Sequence, residues 1–281
     1  MITIENEKLK VSVSSFGAEL QSAVNKESGK EYIWQGDPAY WTGRAPILFP
    51  ICGRLSDDTF LYDGNRYFLQ KHGFARKSEF APEIVDTSNA RFTLLSNEKT
   101  KVSYPFDFAL CADFSLDKNV LNVNYTVTNT GENEMYFSLG AHPAFNVALG
   151  GYVEFEKTES TKVLLAGSDG LICSERDIGG DGKKIVLTQN VFDDDALIFD
   201  HIASESATVY SENGDALVKM TFGKVPYLLL WAKPGAPYVC IEPWHGIPDF
   251  SGEPGEIRNK RSIVTLGAGE KFEFDTKIEF I

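Results

Sequence analysis

One glutamate and two histidines provide the residue types that general acid–base chemistry needs. Glu242 follows the apolar run YVCI (238–241), so its carboxylate is costly to bury unless another group binds it. His72, in QKHGFAR, and His142, in LGAHPAFN, each have small neighbours and a nearby aromatic residue. Because imidazole titrates near neutral pH and burial raises the pKa of a carboxyl, these groups are suited to exchange protons with a bound ligand. Structural roles, as hydrogen-bonded histidines and a salt-bridged glutamate, are the alternative.

Metal binding is a further alternative for the same side chains. His72, His142, Glu242 and His245 are residue types that bind zinc, but the chain has no HxH or HExxH spacing. We therefore predict no metal site. His245 is close to Glu242 in sequence, yet we do not assign it to the catalytic group.

Arginines and aromatic residues near these positions favour a sugar as the ligand. Arg44, Arg54 and Arg76 carry forked guanidinium donors, which suit hydroxyl pairs, carboxylates and phosphates. Aromatic rings stack on the C–H faces of sugars. Eight aromatic residues are close to the polar positions: Trp34, Tyr40, Trp41, Phe49, Phe74, Phe145, Trp231 and Trp244. Solvation explains each arginine alone and core packing explains each ring, so the prediction depends on their combination.

The elements that position these side chains are predicted to be antiparallel β-strands. Residues 121–127 (LNVNYTV) and 271–274 (KFEF) alternate apolar and polar side chains, as half-buried strands do. Asp63-Gly64 and Asn213-Gly214 separate such segments and favour hairpin turns. Only short helical turns are expected, at 193–199 or 254–260. The pattern predicts an all-β sandwich or barrel, and we interpret residues 1–281 as a single domain.

Composition excludes several classes of partner. The net charge of −13 over 281 residues disfavours nucleic acid and anionic membrane surfaces. We expect no signal peptide, because the opening residues MITIENEKLKVSV lack a basic segment followed by an apolar one. No apolar run is long enough to span a bilayer, and the four cysteines are scattered, so we expect a cytoplasmic protein. Neither GxGxxG nor GxxxxGK[ST] occurs, and we predict no nucleotide cofactor and no other cofactor. We therefore expect a small-molecule partner. Both a monomer and a homodimer are compatible with the sequence.

Four segments in this order resemble the aldose 1-epimerase, or galactose mutarotase-like, family and most closely its LacX-type branch. They are GRAPILFPICGRL (43–55), QKHGFAR (70–76), LGAHPAFN (139–146) and WAKPGAPYVCIEPWHGIPD (231–249). The likeness covers essentially the whole chain and implies a large antiparallel β-sandwich. It also implies an enzyme that interconverts the α and β anomers of a hexose or hexose phosphate without a cofactor.

The resemblance further implies a role for each candidate residue. Glu242 is similar to the base that removes the C1 hydroxyl proton, and His142 to the acid that protonates the ring oxygen. His72 would hydrogen-bond the ring oxygen or a neighbouring hydroxyl. The predicted substrate-binding residues are Arg54, Asp195, Asp194, Arg44, Arg76 and Trp244, with Arg44 and Arg76 similar to arginines that bind a 6-phosphate.

Two other functions are compatible with the same residues. A non-catalytic sugar-binding or sugar-sensing protein would keep the pocket, but it would not need both Glu242 and His142. A glycosidase or lyase would need two carboxylates about 5–10 Å apart, and only Glu242 with one of the aspartates 193–195 offers such a pair.

Overall fold

The computed structural model describes residues 1–252 and 254–281, most of which form β-strands or the loops between them. The first twelve strands are β1 (Ile2–Glu5), β2 (Leu9–Val13), β3 (Leu20–Asn25), β4 (Ile47–Leu48), β5 (Thr59–Tyr62), β6 (Asn65–Phe68), β7 (Ala81–Ile84), β8 (Asn89–Leu95), β9 (Phe108–Asp117), β10 (Val120–Asn129), β11 (Met135–Phe137) and β12 (Leu139–Ala141). The others are β13 (Ala144–Asn146), β14 (Tyr152–Phe155), β15 (Lys162–Ala166), β16 (Ile172–Asp177), β17 (Lys184–Val186), β18 (Leu197–Asp200), β19 (Ser206–Tyr210), β20 (Ala216–Thr221), β21 (Tyr227–Trp231), β22 (Tyr238–His245), β23 (Val264–Leu266) and β24 (Lys271–Phe280).

Two large antiparallel sheets dominate the architecture. A nine-stranded sheet has the order β17-β14-β19-β20-β24-β10-β9-β8-β7. An eight-stranded sheet has the order β16-β15-β18-β21-β22-β12-β4, and β13 also pairs with β22. Smaller sheets are formed by β1-β2-β3, β5-β6 and β11-β23.

The two large sheets pack face to face and enclose the main core. Phe155 of β14 contacts Phe199 of β18 at 4.9 Å between ring centroids, and Phe274 of β24 contacts His245 of β22 at the same distance. Apolar side chains from both sheets form one continuous buried cluster. The predicted antiparallel β-sandwich is therefore confirmed.

The predicted strands and turns are largely found. Residues 121–127 lie in β10, where buried and half-buried residues alternate, and 271–274 begin β24. The hairpin β5-β6 turns at Asp63-Gly64, both of which have positive φ as a two-residue turn of this kind requires. The hairpin β19-β20 turns over residues 211–215, which include Asn213-Gly214.

The helical segments depart from the sequence predictions in two places. The turn proposed at 193–199 was wrong, since residues from Leu197 onwards form β18. The structure also has an α-helix at Glu98–Ser103, which begins with a capping box between Asn97 and Thr100. Short 3-10 helices occur at Ser56–Asp58, Ala75–Lys77 and Ile257–Asn259, the last within the predicted 254–260 segment. None of the described helices has the length and apolarity needed to cross a membrane.

Strand β22 is buried on both of its faces, and this explains its nearly continuous apolar sequence. Val239, Ile241 and His245 face the core between the sheets. Trp244 belongs to a smaller buried cluster on the other face of the sheet, and Glu242 shares its side of the strand because side chains alternate. Loops that cover this outer face create the enclosed space into which Glu242 projects.

Candidate active site

A cavity of about 320 Å³ lies on the outer face of the eight-stranded sheet, a size within the usual range for small-molecule sites. Segments that are far apart in the chain supply its wall. The titratable groups among the lining residues are Lys71, His72, Arg76, His142, Asp195 and Glu242. The structure thus brings the three predicted catalytic residues together with three of the predicted substrate-binding residues, Arg76, Asp195 and Trp244.

Glu242 and His142 face each other across neighbouring strands. The pairings Gly140↔Trp244 and Ala144↔Cys240 place His142, between β12 and β13, opposite Glu242 on β22. His142 Nε2 lies 3.2 Å from Glu242 Oε2, within hydrogen-bond reach. The residues are only 8% and 1% exposed. This contact is therefore fixed by sheet register and is well shielded from solvent.

Burial determines how the Glu242–His142 pair holds protons. It raises the pKa of the Glu242 carboxyl well above its usual range, and the Asp195 carboxylate adds to this rise. Burial lowers the pKa of His142 to about 3, with smaller contributions from Lys71 and Arg76. Both shifts disfavour charge, so burial favours the form of the pair in which the Glu242 carboxyl is protonated and the His142 imidazole is neutral.

The backbone around His72 fixes which of its ring nitrogens faces the ligand. The Gly53 N–H donates to His72 Nδ1 at 3.1 Å, and the His72 N–H donates to the Gly53 carbonyl at 2.8 Å. Burial, assisted by Lys71, holds the pKa of His72 well below its usual value. A neutral imidazole that accepts at Nδ1 carries its proton on Nε2, so His72 acts as a hydrogen-bond donor.

Aromatic side chains hold the two imidazoles and wall the cavity. Trp41 stacks on His142, with ring centroids 5.0 Å apart, and Trp231 contacts the same imidazole edge-on at 5.8 Å. Trp244 packs edge-on against His72 at 5.5 Å. Among the described residues, His142 Nδ1 has no hydrogen-bond partner, so ring packing orients this imidazole from the side away from Glu242.

Charged groups complete the cavity lining. Arg76 donates to the Lys71 carbonyl at 3.1 Å, while its buried Nε has no acceptor in the described part of the chain. Burial lowers the pKa of Arg76. Asp195 has a φ of 71°, a left-handed conformation that is uncommon for a residue other than glycine. Both side chains are available to polar groups of a ligand.

Three predicted substrate-binding residues lie outside the lining of this cavity. Arg54 forms a two-pronged pair with Asp58, at 2.7 Å for both contacts, and lines a neighbouring depression. Asp194 pairs with Arg176 in the same depression, so Asp195 is the aspartate of this run that reaches the cavity. Arg44 donates to Gln21 and to the Gln35 carbonyl. In each case a local partner that sequence motifs do not reveal holds the charged group.

The zinc alternative from the sequence is not assembled as a set. His245 contacts Phe272 and Phe274 in the core, on the opposite face of β22 from Glu242. Ligand atoms of His142, Cys240 and Glu242 do lie within 4.8 Å of one another. However, burial and the Glu242 carboxylate raise the pKa of the Cys240 thiol well above its usual value, which disfavours the thiolate that binds metal.

One part of the cavity wall was missed by the sequence analysis. Ala166 and Gly170 flank the tight turn between β15 and β16 and line the cavity. Their sequence, AGSDG, shows a turn through its Gly and Asp residues, but nothing in it indicates that the turn faces a site.

Known proteins share both the sequence and the fold. The family model described as Aldose 1-epimerase matches residues 1–265. The chromosomal protein LacX of Lactococcus lactis subsp. lactis is 32% identical over 94% of this chain and 93% of its own length. A galactose mutarotase-like protein from Lactobacillus casei is 34% identical, with a TM-score of 0.94 over the full length of both chains. A galactose mutarotase related enzyme from Lactobacillus acidophilus is 31% identical, with a TM-score of 0.92 over 100% of this chain and 97% of that one.

These matches agree with the resemblance noted in the sequence, and they extend over the segments that carry His72, His142 and Glu242. The structure brings those segments to one cavity. The chain therefore belongs to the aldose 1-epimerase family.

Proposed function

We propose that the protein is a mutarotase, which interconverts the α and β anomers of a hexose or hexose phosphate by acid–base ring opening. The observation that carries the proposal is that Glu242 and His142 are buried 3.2 Å apart in a cavity large enough for a sugar. Membership of the family supports the reaction class, and the geometry supports the roles of the residues.

The proposed reaction moves protons only within the pair and the substrate. In the ionised form of the pair, the Glu242 carboxylate removes the C1 hydroxyl proton while the His142 imidazolium protonates the ring oxygen. The C1–O bond to the ring oxygen breaks, and C1 becomes an aldehyde. Rotation about C1–C2 and the reverse transfers then close the ring on the other face. The ionised and neutral forms hold the same single proton, so the cycle needs no net proton from solvent.

His72 and Asp195 complete the proposed site. The Nε2–H of His72 donates to the ring oxygen or a neighbouring hydroxyl, a role that its contact with the Gly53 N–H prepares. Asp195 accepts hydrogen bonds from ring hydroxyls, and Trp244 walls the site beside His72. General acid–base catalysis contributes about 10²–10⁴-fold, which suffices for a reaction that already proceeds in water.

Two cationic side chains that line the cavity, Arg76 and Lys71, influence which substrates the site can bind. Neither Arg76 nor Lys71 forms a salt bridge within residues 1–252 and 254–281, although both line the cavity. An arginine with an unpaired buried Nε suits a phosphate oxygen as well as a hydroxyl. Phosphorylated hexoses therefore belong in the substrate panel beside free hexoses.

Anomeric exchange measured by NMR tests the proposal on glucose, galactose and their 6-phosphates. We expect the wild type to accelerate exchange of at least one of them, and Glu242→Gln and His142→Asn each to abolish this while circular dichroism shows an intact fold. His245→Phe is the matched control, because this imidazole is a neighbour in sequence but faces the core. Binding without acceleration would instead identify a sugar-binding protein, and activity that survives in both site variants would refute the assigned roles.

A further inference from the structure

A second cavity, of about 220 Å³, lies beside the start of β5 and is separate from the catalytic cavity. Residues 55, 56 and 60 line one side of it, and residues 248–250, 255–257 and 259–261 line the other. The fold fixes this second wall at two places, since the Leu61 N–H donates to the Gly255 carbonyl and the Ile172 N–H to the Asp249 carbonyl, both at 2.9 Å. The cavity is smaller than a typical site for a drug-sized ligand and suits a molecule with a single ring.

The walls of this second cavity are largely apolar. Five apolar side chains contribute to them: Leu55, Phe60, Pro248, Phe250 and Ile257. Phe250 is 43% exposed, so its ring is available to a ligand. A sugar would leave several of its hydroxyls unpaired against these walls, which costs free energy. The lining therefore favours a ligand whose body is an apolar ring.

The two cations that line the second cavity are already paired with carboxylates. The Lys260 ammonium lies 2.5 Å from the Asp249 carboxylate, and the Arg261 guanidinium lies 2.6 Å from Asp200. An anionic ligand would have to compete with these carboxylates for its counter-charge. The charges of the site therefore favour a neutral ligand.

Two buried polar atoms of the lining can bind a hydroxyl group. Ser56 is only 1% exposed, and its N–H donates to the Asp249 carboxylate at 3.0 Å. Its hydroxyl has no hydrogen-bond partner in the described part of the chain. Oε2 of Glu256 is also buried and accepts no hydrogen bond from the described residues, although it lies 3.5 Å from Arg258 Nε. A ligand that bonds to these atoms would remove the cost of leaving them unpaired.

From this combination, we propose that the second cavity is a non-catalytic site for a small, neutral aromatic molecule that carries a hydroxyl group, such as a phenol. Its ring packs against the rings of Phe60 and Phe250, as aromatic pairs do. Its hydroxyl donates to Glu256 Oε2 or exchanges a hydrogen bond with the Ser56 hydroxyl.

The second cavity shares one wall with the catalytic cavity. Pro248 lines both, and its ring packs against Gly53 so closely that a Cβ added to Gly53 would lie 2.2 Å from Pro248 Cγ. Gly53 in turn exchanges two hydrogen bonds with His72. A ligand in contact with Pro248 is thus one residue away from the backbone that orients His72. The bound phenol therefore acts as an effector of turnover, a consequence that rests on the proposed mutarotase function.

Three variants separate the second cavity from its surroundings. Gly255 lines it, and a Cβ added there meets no atom within 4 Å in the described chain, so Gly255→Phe reduces the space for a ligand without a clash. Gly252→Phe is the matched control, because Gly252 is equally exposed, has only the Phe250 carbonyl near an added Cβ, at 3.9 Å, and does not line the cavity. Ser56→Ala removes the buried hydroxyl.

Titrations followed by ligand-detected NMR, with phenol and with benzoate as its anionic counterpart, test the site. Phenol should bind the wild type and Gly252→Phe equally, and bind Gly255→Phe at least about 10-fold more weakly. Ser56→Ala should bind phenol about 2–10-fold more weakly, as expected for one lost hydrogen bond. No binding of phenol, equal affinity in all four proteins, or benzoate that binds the wild type as tightly as phenol would overturn the proposal.

Anomeric exchange of a sugar that the wild type turns over tests the effector role. Saturating phenol should change kcat/KM at least about 5-fold, the lower end of typical coupling between sites, in the wild type and in Gly252→Phe but not in Gly255→Phe. An equal change in Gly255→Phe would place the phenol in the catalytic cavity, and phenol that binds without any change would likewise refute the effector role. If no sugar is turned over even without phenol, the mutarotase function fails, and the binding titrations decide the second site on their own.

Discussion

Replacing His245 should remove a pH-dependent loss of stability and leave turnover intact. The imidazole packs edge-on against Phe272 and Phe274, at 5.0 and 4.9 Å between ring centroids. Burial lowers its pKa from 6.5 to about 4. The unfolded chain therefore binds a proton here below pH 6.5 that the folded chain takes up only near pH 4. The stability contributed by this neutral imidazole is complete above pH 6.5 and is lost as the pH falls through that window.

The size of this loss follows from the two pKa values. Each pH unit in the window costs about 1.4 kcal/mol, so His245 accounts for about 2 kcal/mol of the stability lost between about pH 7.5 and pH 5. Urea denaturation at the two pH values measures the unfolding free energy. In His245→Phe, the difference between the two pH values should be smaller than in the wild type by this amount.

A second variant separates the proton effect from packing. His245→Gln also lacks the titrating group, so it should lose the same pH dependence even if its stability at neutral pH differs from that of His245→Phe. A pH dependence equal to that of the wild type in both variants would refute the burial of a neutral imidazole at this position. Loss of turnover in a folded variant would contradict the placement of His245 on the core side of β22.

Three further outcomes follow from the electrostatics and packing of the site. The kcat/KM should stay level from about pH 6.5 to about pH 5. The reason is that the Glu242–His142 pair takes up a second proton only near the His142 pKa of about 3. A several-fold fall of kcat/KM at pH 5 would contradict this. Asp195→Asn should move the alkaline limb of the kcat/KM pH profile to lower pH, because Asp195 raises the pKa of Glu242. Lys71→Met should move it to higher pH, because Lys71 lowers the same pKa. Shifts of the same sign in both variants would exclude this electrostatic coupling to Glu242. Trp41→Leu should lower kcat about 10–100-fold, because the His142 ring loses the side chain that stacks on it. Trp41→Phe should keep this stack and most of the activity. Equal kcat values in the two variants would show that the stack is dispensable.

Strand alternation and turn residues predicted many of the strands because both signals are local in sequence. The alternation in residues 121–127 and the Asp-Gly turn at 63–64 each depend on a few neighbouring residues, and both occur in the structure. The segment 193–199 was misread as helical, although its second half pairs as β18 with β21. That pairing depends on a strand about 30 residues away, which a local pattern does not contain.

The site was predicted in part, and the missing part depends on tertiary contacts. The motifs indicated Glu242, His142 and His72, and all three line one cavity. Arg54 was expected to touch the sugar, but its guanidinium is fixed by Asp58 and the Asp169 carbonyl. Which side chain of the run 193–195 faces the cavity is set by the backbone conformation of Asp195, and no property of three identical residues reveals it.

The candidate site combines side chains placed by a regular sheet with side chains of two strained loop residues. Strand register sets the separation of Glu242 and His142, so the proton-sharing pair needs no special local conformation. His72 and Asp195 instead have φ values of 67° and 71°, a conformation that typically costs about 1–3 kcal/mol in a residue other than glycine. For His72, two hydrogen bonds to Gly53 offset this cost and also fix the donating nitrogen. In the proposed mechanism, the strained residues therefore supply the directional contacts to the sugar, while the sheet supplies the constant distance that proton transfer requires.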